Sequence, residues 1–487
     1  MKILFLQKDT MVRIAVMLLS ASLKEDGHEC ELLMDAAEKD LVSTAVAMRP
    51  DLIAFSCITG GQGWVLETAR RVKERMDVPV LVGGPHATFF PEIVDRPEVD
   101  IVCRGEGEEA IREIVAALAS HDPGSLASIP NVSTRVDGRI VTNDVRDLAE
   151  DLDRLPFPDW ELYRKRYAFL VPYYLGNFPA ILSRGCPHAC SYCFNRSYLQ
   201  LYRGKGRYVR RETPAGAVAR LARMRDEFGV RRFNFVDDSF AENAAWVEEF
   251  TALYRDRVAL PFICNVRAPS VTEETARMLR EAGCYCLRMG IESGDERVRR
   301  EILAKRVSDE EIGAAAANAR RNHMKLVTYN MYGCPGESLE DALRTYELNR
   351  DLRVTFPQCS ILLPYPGTPI RETAERMGLM PAHHGDGGDE LPESYFVESP
   401  LKIEHKRGIT NLQKLTPVCA RWRMPTPVVR WLISLPSNPL YHLAFQSEYA
   451  LFRLGLDANE IVPFLRFALK SRAYMARRSG RDAGSAS

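Results

Sequence analysis

Short apolar runs alternate with amphipathic stretches in two long series along this chain, and that alternation narrows the folds open to it more than any other feature. In the first series the apolar runs are Lys2–Leu6, Cys30–Leu33, Leu52–Ser56, Val78–Val82 and Asp100–Cys103. Helical periodicity fills the gaps, as in Arg13–Lys24 and Trp64–Glu74. Strands and helices in alternation imply βαβ units and a doubly wound parallel sheet. Ligands on such sheets sit beyond the carboxyl ends of the strands, at the switch point. The second series has candidate strands Ala180–Ser183, Arg232–Val236, Phe262–Val266, Tyr285–Ile291, Lys325–Tyr332 and Gln358–Leu363, with helical stretches after the first five. Between the two series, Ile129–Val141 reads as a hairpin turning at Asp137-Gly138. The segment Asp147–Tyr163 follows; its Leu155-Pro156-Phe157-Pro158 run cannot continue a helix and is expected as an extended connector packed on the second domain.

Cys186, Cys190 and Cys193 stand in the run Ser-Arg-Gly-Cys-Pro-His-Ala-Cys-Ser-Tyr-Cys-Phe-Asn. Three thiolates in one short loop can hold three irons of a [4Fe–4S] cubane and leave the fourth open to a ligand. A structural zinc site is the alternative, but it needs a fourth ligand, and His188 inside the loop is badly placed to complete a tetrahedron. A disulfide is weaker still, because twelve cysteines without a secretory leader suggest reduced thiols and a cytoplasmic setting.

The cysteine loop, with the aromatic Tyr192 just before its last cysteine, resembles the signature of the radical S-adenosylmethionine (SAM) enzymes. The resemblance implies a partial (β/α)₆ barrel for the second series. It also implies an open iron that chelates SAM, and a one-electron cleavage giving a 5′-deoxyadenosyl radical that takes hydrogen from substrate. Further motifs fall at strand ends, where barrel active sites lie. Asp237 and Asp238 follow the second strand and, by resemblance, face the SAM amino group; helix capping by Asp238 or Ser239 is the plainer role. Arg267, after the third strand, could pair with the SAM carboxylate or be an ordinary surface arginine. Gly290-Ile291-Glu292-Ser293-Gly294 resembles the ribose motif, with Glu292 and Ser293 toward the sugar hydroxyls. Gly333 and Pro335 after the fifth strand, and Pro364 after the sixth, match segments that line the adenine.

The first series resembles the cobalamin-binding domain found ahead of many radical SAM domains. Ser56, Gly83 and Gly84 match its nucleotide-tail positions, and two glycines let backbone approach a bulky tail. The stretch Asp9-Thr10-Met11-Val12-Arg13-Ile14 lacks the cobalt-binding histidine of many cobalamin proteins, and His86 reads as a turn residue. A cofactor-free scaffold therefore stays open for this domain.

Other residues point to packing or to substrate. Arg288, on the same strand face as Glu292, would need an anionic partner inside a barrel, either a substrate group or Asp237 or Asp238. Tyr329 and Tyr332 could donate a hydrogen atom but read more simply as packed. Cys264, Cys284, Cys286 and Cys334 read as small core residues.

Formal net charge is +0, so nothing electrostatic argues for a nucleic-acid partner. The C-terminal region interleaves arginines and aromatics, as in Arg421-Trp422-Arg423, Arg430-Trp431 and Arg466-Phe467, and suits either a lid on the barrel or helices at an anionic membrane. Arg477–Ser487 is expected to be disordered.

The expected organisation is α/β: a cobalamin-type Rossmann-like domain over 1–125, a hairpin and linker over 126–175, a partial barrel over 176–395 and a helical C-terminal region over 396–487. The expected activity is radical hydrogen abstraction followed by methyl transfer from cobalamin. Ring closure, oxidation or carbon–carbon coupling on a lipid-like or tetrapyrrole substrate is the alternative, and a non-catalytic iron–sulfur or zinc protein the third reading. The resemblance implies a small-molecule or lipid-like substrate and an external electron donor such as flavodoxin or ferredoxin.

Overall fold

Two parallel sheets carry the two series, in a computed structural model that describes residues 1–120, 123–380, 391, 396 and 399–456. The first sheet contains β1 (Lys2–Gln7), β2 (Glu29–Met34), β3 (Leu52–Ser56), β4 (Val80–Gly83) and β5 (Ile101–Cys103), in the order β2-β1-β3-β4-β5. Their near-continuous Val, Ile and Leu content suits strands covered on both faces, and Ile3, Leu4, Ile53, Val80 and Val102 are fully buried. The order reverses between β1 and β3, which opens a crevice above their carboxyl ends. The hairpin β6 (Val132–Val136) and β7 (Arg139–Thr142) adds to the β5 edge in antiparallel sense, so it completes this sheet.

The second sheet has six parallel strands in the order β15-β14-β13-β12-β11-β8. These are β8 (Phe178–Ala180), β11 (Phe233–Phe235), β12 (Phe262–Val266), β13 (Cys284–Glu292), β14 (Lys325–Tyr332) and β15 (Phe356–Ile361). Chain order is kept from edge to edge with helices between strands, as in an incomplete barrel. The expected strand 180–183 divides, because Leu182 donates its N–H to the Asp237 carboxylate at 2.9 Å instead of to a neighbouring strand. β9 (Ser183–Arg184) then pairs with β10 (Arg210–Arg211) above the barrel.

The connector departs from the simple extended reading. Residues 155–159 are extended, but short helices form at Glu161–Arg164 and Val171–Leu175. It also packs on both domains. Phe157 lies 5.0 Å from Phe228 of the barrel, while Tyr163 and Tyr174 accept from the N–H groups of Arg13 and Val12 in the first domain at 3.1 and 3.0 Å. One continuous hydrophobic core runs from Ile3 and Ile114 through Trp160 and Tyr163 to Phe178 and Phe262.

The helix Lys406–Arg421 covers the free edge of β15, with Gln413 Nε2 donating to the Cys359 carbonyl at 2.8 Å. Covering an edge removes an exposed pairing template. Tyr449 and Phe452 of the helix Pro439–Leu456 pack on Phe356, the Phe452 ring stacking at 4.5 Å. The helix Pro439–Leu456 thereby joins the small cluster of Ile263, Cys286, Val327 and Phe356. The expectations for Arg466-Phe467 and Arg477–Ser487 lie outside the described residues. Among the described residues no helix is long and apolar enough to cross a membrane.

Candidate active site

A cavity of about 670 Å³ lies where the carboxyl ends of the first sheet meet the cysteine loop of the barrel. Ser56 at the end of β3 and Gly83 and Gly84 at the end of β4 line it from one side. Tyr192, Cys193 and Asp238 line it from the other. Strand ends of the first sheet and the cysteine loop thus share one space, because the common core fixes the domains to each other.

The first-domain wall is a slot of apolar side chains, including Phe5, Val16, Ala54, Leu81 and Ile111. Gly84 sits at φ 93° with a would-be Cβ only 2.7 Å from the Cys57 carbonyl oxygen, so no side chain can stand at this turn. A flat apolar slot ending in bare backbone fits the nucleotide tail of cobalamin. The slot offers no histidine: His86 is buried with Nδ1 3.4 Å from Thr59 Oγ1 and does not line the cavity. Arg13 in the Asp9–Ile14 stretch is committed to Asp9 and to the Ser56 carbonyl at 2.9 and 2.8 Å.

On the barrel side, Cys190 is buried and Cys186 and Cys193 are half-buried. The three thiols lie within electrostatic reach of one another, and burial pushes the Cys186 thiol up to about 12. Among the described residues no three His, Cys, Asp or Glu side chains converge as ligands of one ion would. His188, the nearest candidate for a fourth zinc ligand, is turned to Glu242 at 3.2 Å.

Asn195 joins the loop to the next strand end. Its Nδ2 donates to Asp238 at 3.0 Å and lies 3.6 Å from Cys193 Sγ, and its Oδ1 accepts from the Tyr208 hydroxyl at 2.6 Å. Asp237 is fully buried, accepting from Leu182 N–H and the Ser183 hydroxyl at 2.9 and 2.5 Å. Burial raises its carboxyl above the ordinary value. Arg267 points a guanidinium nitrogen at Cys190 Sγ, 3.9 Å away.

Glu292 ends β13 in the left-handed region at φ 71°, which costs a non-glycine residue and places strain at this strand end. Its Oε1 accepts from the Tyr192 hydroxyl at 3.1 Å and from Lys305 Nζ at 2.8 Å. Burial, then the neighbouring carboxylate, holds the Tyr192 phenol well above its usual range. Ser293 is fully buried with its Oγ accepting from Asp295 N–H at 3.2 Å. Gly333, Pro335 and Pro364 are buried at the ends of β14 and β15, and Gly333 has φ 79°.

Several side chains that shape the site meet partners the sequence does not name, although Glu106 and Glu108 stand in the Gly105-Glu106-Gly107-Glu108 helix start that resembles the cobalamin-type domain. Lys305 meets Glu292 only through the fold. Glu106 and Glu108 from the first domain pair with Arg184, at 2.9 and 2.5 Å, and Arg210 reaches Glu106 as well, all along the cavity wall. Asn195 had a partial signal, standing two residues after the last cysteine. Of the two partners expected for Arg288, the aspartates are not the ones it meets: it donates to Asn234 Oδ1 and the Phe235 carbonyl at 2.6 and 2.8 Å. Tyr332 is fully buried, its hydroxyl 2.8 Å from Thr416, and Cys264, Cys284, Cys286 and Cys334 are core residues.

Comparison with known proteins finds two family matches. Residues 8–115 match the B12 binding domain family and residues 180–348 the radical SAM superfamily. An uncharacterized methyltransferase, PH0819 of Pyrococcus horikoshii, is 28% identical over 74% of this chain and 78% of its own length. An anaerobic magnesium-protoporphyrin IX monomethyl ester cyclase of Synechocystis is 25% identical over 66% of this chain and 65% of its own. The solved radical SAM methyltransferase TsrM of Kitasatospora setae, with cobalamin and a [4Fe–4S] cluster bound, is similar in fold, with a TM-score of 0.63 and 18% identity over 82% of this chain and 79% of that one. The chain belongs to the radical SAM enzymes that carry a B12-binding domain, with a [4Fe–4S] cluster, SAM and cobalamin as cofactors.

Proposed function

We propose that this protein methylates an unactivated carbon of a small or lipid-like molecule. The observation that carries the reading is the single cavity shared by Ser56, Gly83 and Gly84 on one side and Tyr192, Cys193 and Asp238 on the other. When bound, the cluster and SAM supply the radical that removes hydrogen, and cobalamin supplies the methyl group. Cys186, Cys190 and Cys193 hold three irons. Asp238, open to the cavity and steadied by Asn195, takes the SAM ammonium, while the buried Asp237 fixes the strand end beneath it. Arg267 takes the SAM carboxylate. Glu292 takes the ribose hydroxyls, with Ser293 shaping the turn behind it. Gly333, Pro335 and Pro364 line the adenine. The apolar slot ending at Ser56, Gly83 and Gly84 takes the nucleotide tail.

A second reading, ring closure or another radical coupling without methyl transfer, is supported by the cyclase relatives. Anaerobic reconstitution with iron, sulfide and hydroxocobalamin separates the two. Stoichiometric cobalamin beside about four irons is the expected result, and iron without cobalamin would overturn methyl transfer. The reduction of SAM calls on an external one-electron carrier. The reading places the protein in the cytoplasm, with the exposed Trp422, Trp431 and Leu440 available to an anionic membrane. Reduced liposome flotation of a W422S/W431S variant would support that contact, and unchanged flotation would oppose it.

A further inference from the structure

Alternate residues of β13 face opposite sides of the sheet. Leu287, Met289 and Ile291 belong to the core that holds Leu279 and Ile312 of the covering helices Glu273–Glu281 and Asp309–Arg321. Arg288 and Gly290 therefore face the interior of the incomplete barrel, where a Cβ on Gly290 would meet Glu292 Oε1 and Lys305 Nζ. Asn265 of β12 stands in register with Arg288 on the same face. Arg288 spends Nη2 on two neutral oxygens, Asn234 Oδ1 and the Phe235 carbonyl, and Nη1 has no partner among the described residues. Arg288 Nε and Asn265 Oδ1 are buried, and among the described residues neither has a hydrogen-bond partner. The acids at the nearby strand ends are engaged elsewhere: Glu292 with Lys305 and Tyr192, Asp237 with Leu182 and Ser183, and Asp238 with Asn195. An apolar floor of Ile263, Cys286, Val327 and Phe356 lies toward the amino ends of the strands.

We infer that Arg288 anchors the substrate, and that the substrate is a carboxylic acid held by its carboxylate at Nη1. The inference rests on the radical SAM reading and deepens it. A guanidinium drawn into the barrel without a counter-charge is costly, and a ligand carboxylate supplies that charge through charge-assisted hydrogen bonds. One free cation suits a monoanion. A phosphate dianion calls for a second cation, but Lys305 is spent on Glu292, and Lys325, one pleat lower on the same face, is not free either. The SAM carboxylate belongs to Arg267, 3.9 Å from Cys190 Sγ, whereas Arg288 lies four residues before the end of β13. From Arg288 to Gly290 the strand rises roughly 7 Å. The carbon brought to the level of Glu292 therefore lies only a few bonds from the acid.

The test uses the reconstituted full chain with SAM present. Butyrate is the probe and butyramide its neutral counterpart, both followed by ligand NMR line broadening. The parent binds butyrate at least about tenfold more tightly than butyramide. R288Q loses that preference, and R288K, which keeps the charge, retains it. Iron content, and SAM affinity measured by calorimetry, stay at the parent level in both variants. Equal binding of the two probes by the parent, a comparison that needs no variant, would overturn the anchor. So would an undiminished preference in R288Q. A SAM affinity about tenfold weaker in R288Q would overturn it as well, by giving Arg288 to the cofactor. Butyl phosphate binding more tightly than butyrate would overturn the carboxylate assignment. If the parent forms no 5′-deoxyadenosine with dithionite, the radical SAM reading fails instead, and the butyrate comparison is decided separately.

Discussion

Lys305 Nζ stands 2.8 Å from Glu292 Oε1, with both side chains at most one-tenth exposed. The Tyr192 hydroxyl donates to the same oxygen at 3.1 Å, so the cysteine loop and the end of β13 are fastened through one carboxylate. Removing either charge leaves the other buried and unpaired, at a cost of about 3–5 kcal/mol. Lys305→Met should lower unfolding stability by that order, and Glu292→Gln/Lys305→Met should recover much of it. Denaturant titration of the three proteins checks this. Glu292→Gln should also weaken SAM affinity while iron content stays at the parent level.

Gly84 and Gly83 are adjacent and should respond very differently to the same substitution. At Gly84 a methyl group meets Cys57 backbone oxygen and nitrogen at 2.7 and 2.9 Å, at φ 93°. Gly84→Ala should destabilise by about 1 kcal/mol or more and lose cobalamin on desalting. At Gly83 the nearest contact is an ordinary 3.6 Å, so Gly83→Ala should leave thermal stability nearly unchanged.

Burial raises the Glu337 carboxyl to about 8, although it accepts from the N–H groups of Gly333 and Cys334 at 2.6 and 3.1 Å. An acid with a raised folded pKa binds its proton more tightly in the native state. The unfolded chain releases that proton near the ordinary 4.5, so stability falls as pH rises from there to about 8. Glu337→Gln should raise the melting temperature at pH 8.5 relative to the parent, and the difference should vanish near pH 4.5. Thermal melts across that range measure it.

Cys186→Ala, Cys190→Ala and Cys193→Ala should each reduce SAM cleavage to background, read as 5′-deoxyadenosine under dithionite. Retained cleavage in any of them would remove the cluster assignment from that residue.

Much of this was legible from periodicity. β12 and β14 begin and end at the residues where the apolar pattern does, because both are covered on two faces and bounded by helix starts. Tyr192, Cys193 and Asp238 could be placed on one site because strand-end position and chemistry agree. Lys305 could not, since its meeting with Glu292 depends on how the segment after β13 returns over the barrel. The short β8 was overread for a similar reason: the Asp237 side chain, not a strand, takes the Leu182 N–H. The C-terminal helices carry arginines and aromatics that pattern alone leaves to a lid on the barrel or an anionic membrane surface. Tyr449 and Phe452 instead pack on Phe356 of β15, a contact that depends on the fold and not on the pattern.

The core that runs unbroken through Trp160 and Tyr163 has a further consequence. Two modules joined by a loose tether could swing apart to admit a bulky guest and shut again. Here, parting them would expose aromatic interior on both sides to water, a cost proportional to the area uncovered. The walls of the shared cavity are therefore held by the same interior that holds each module, and any opening that separates the modules must first uncover it.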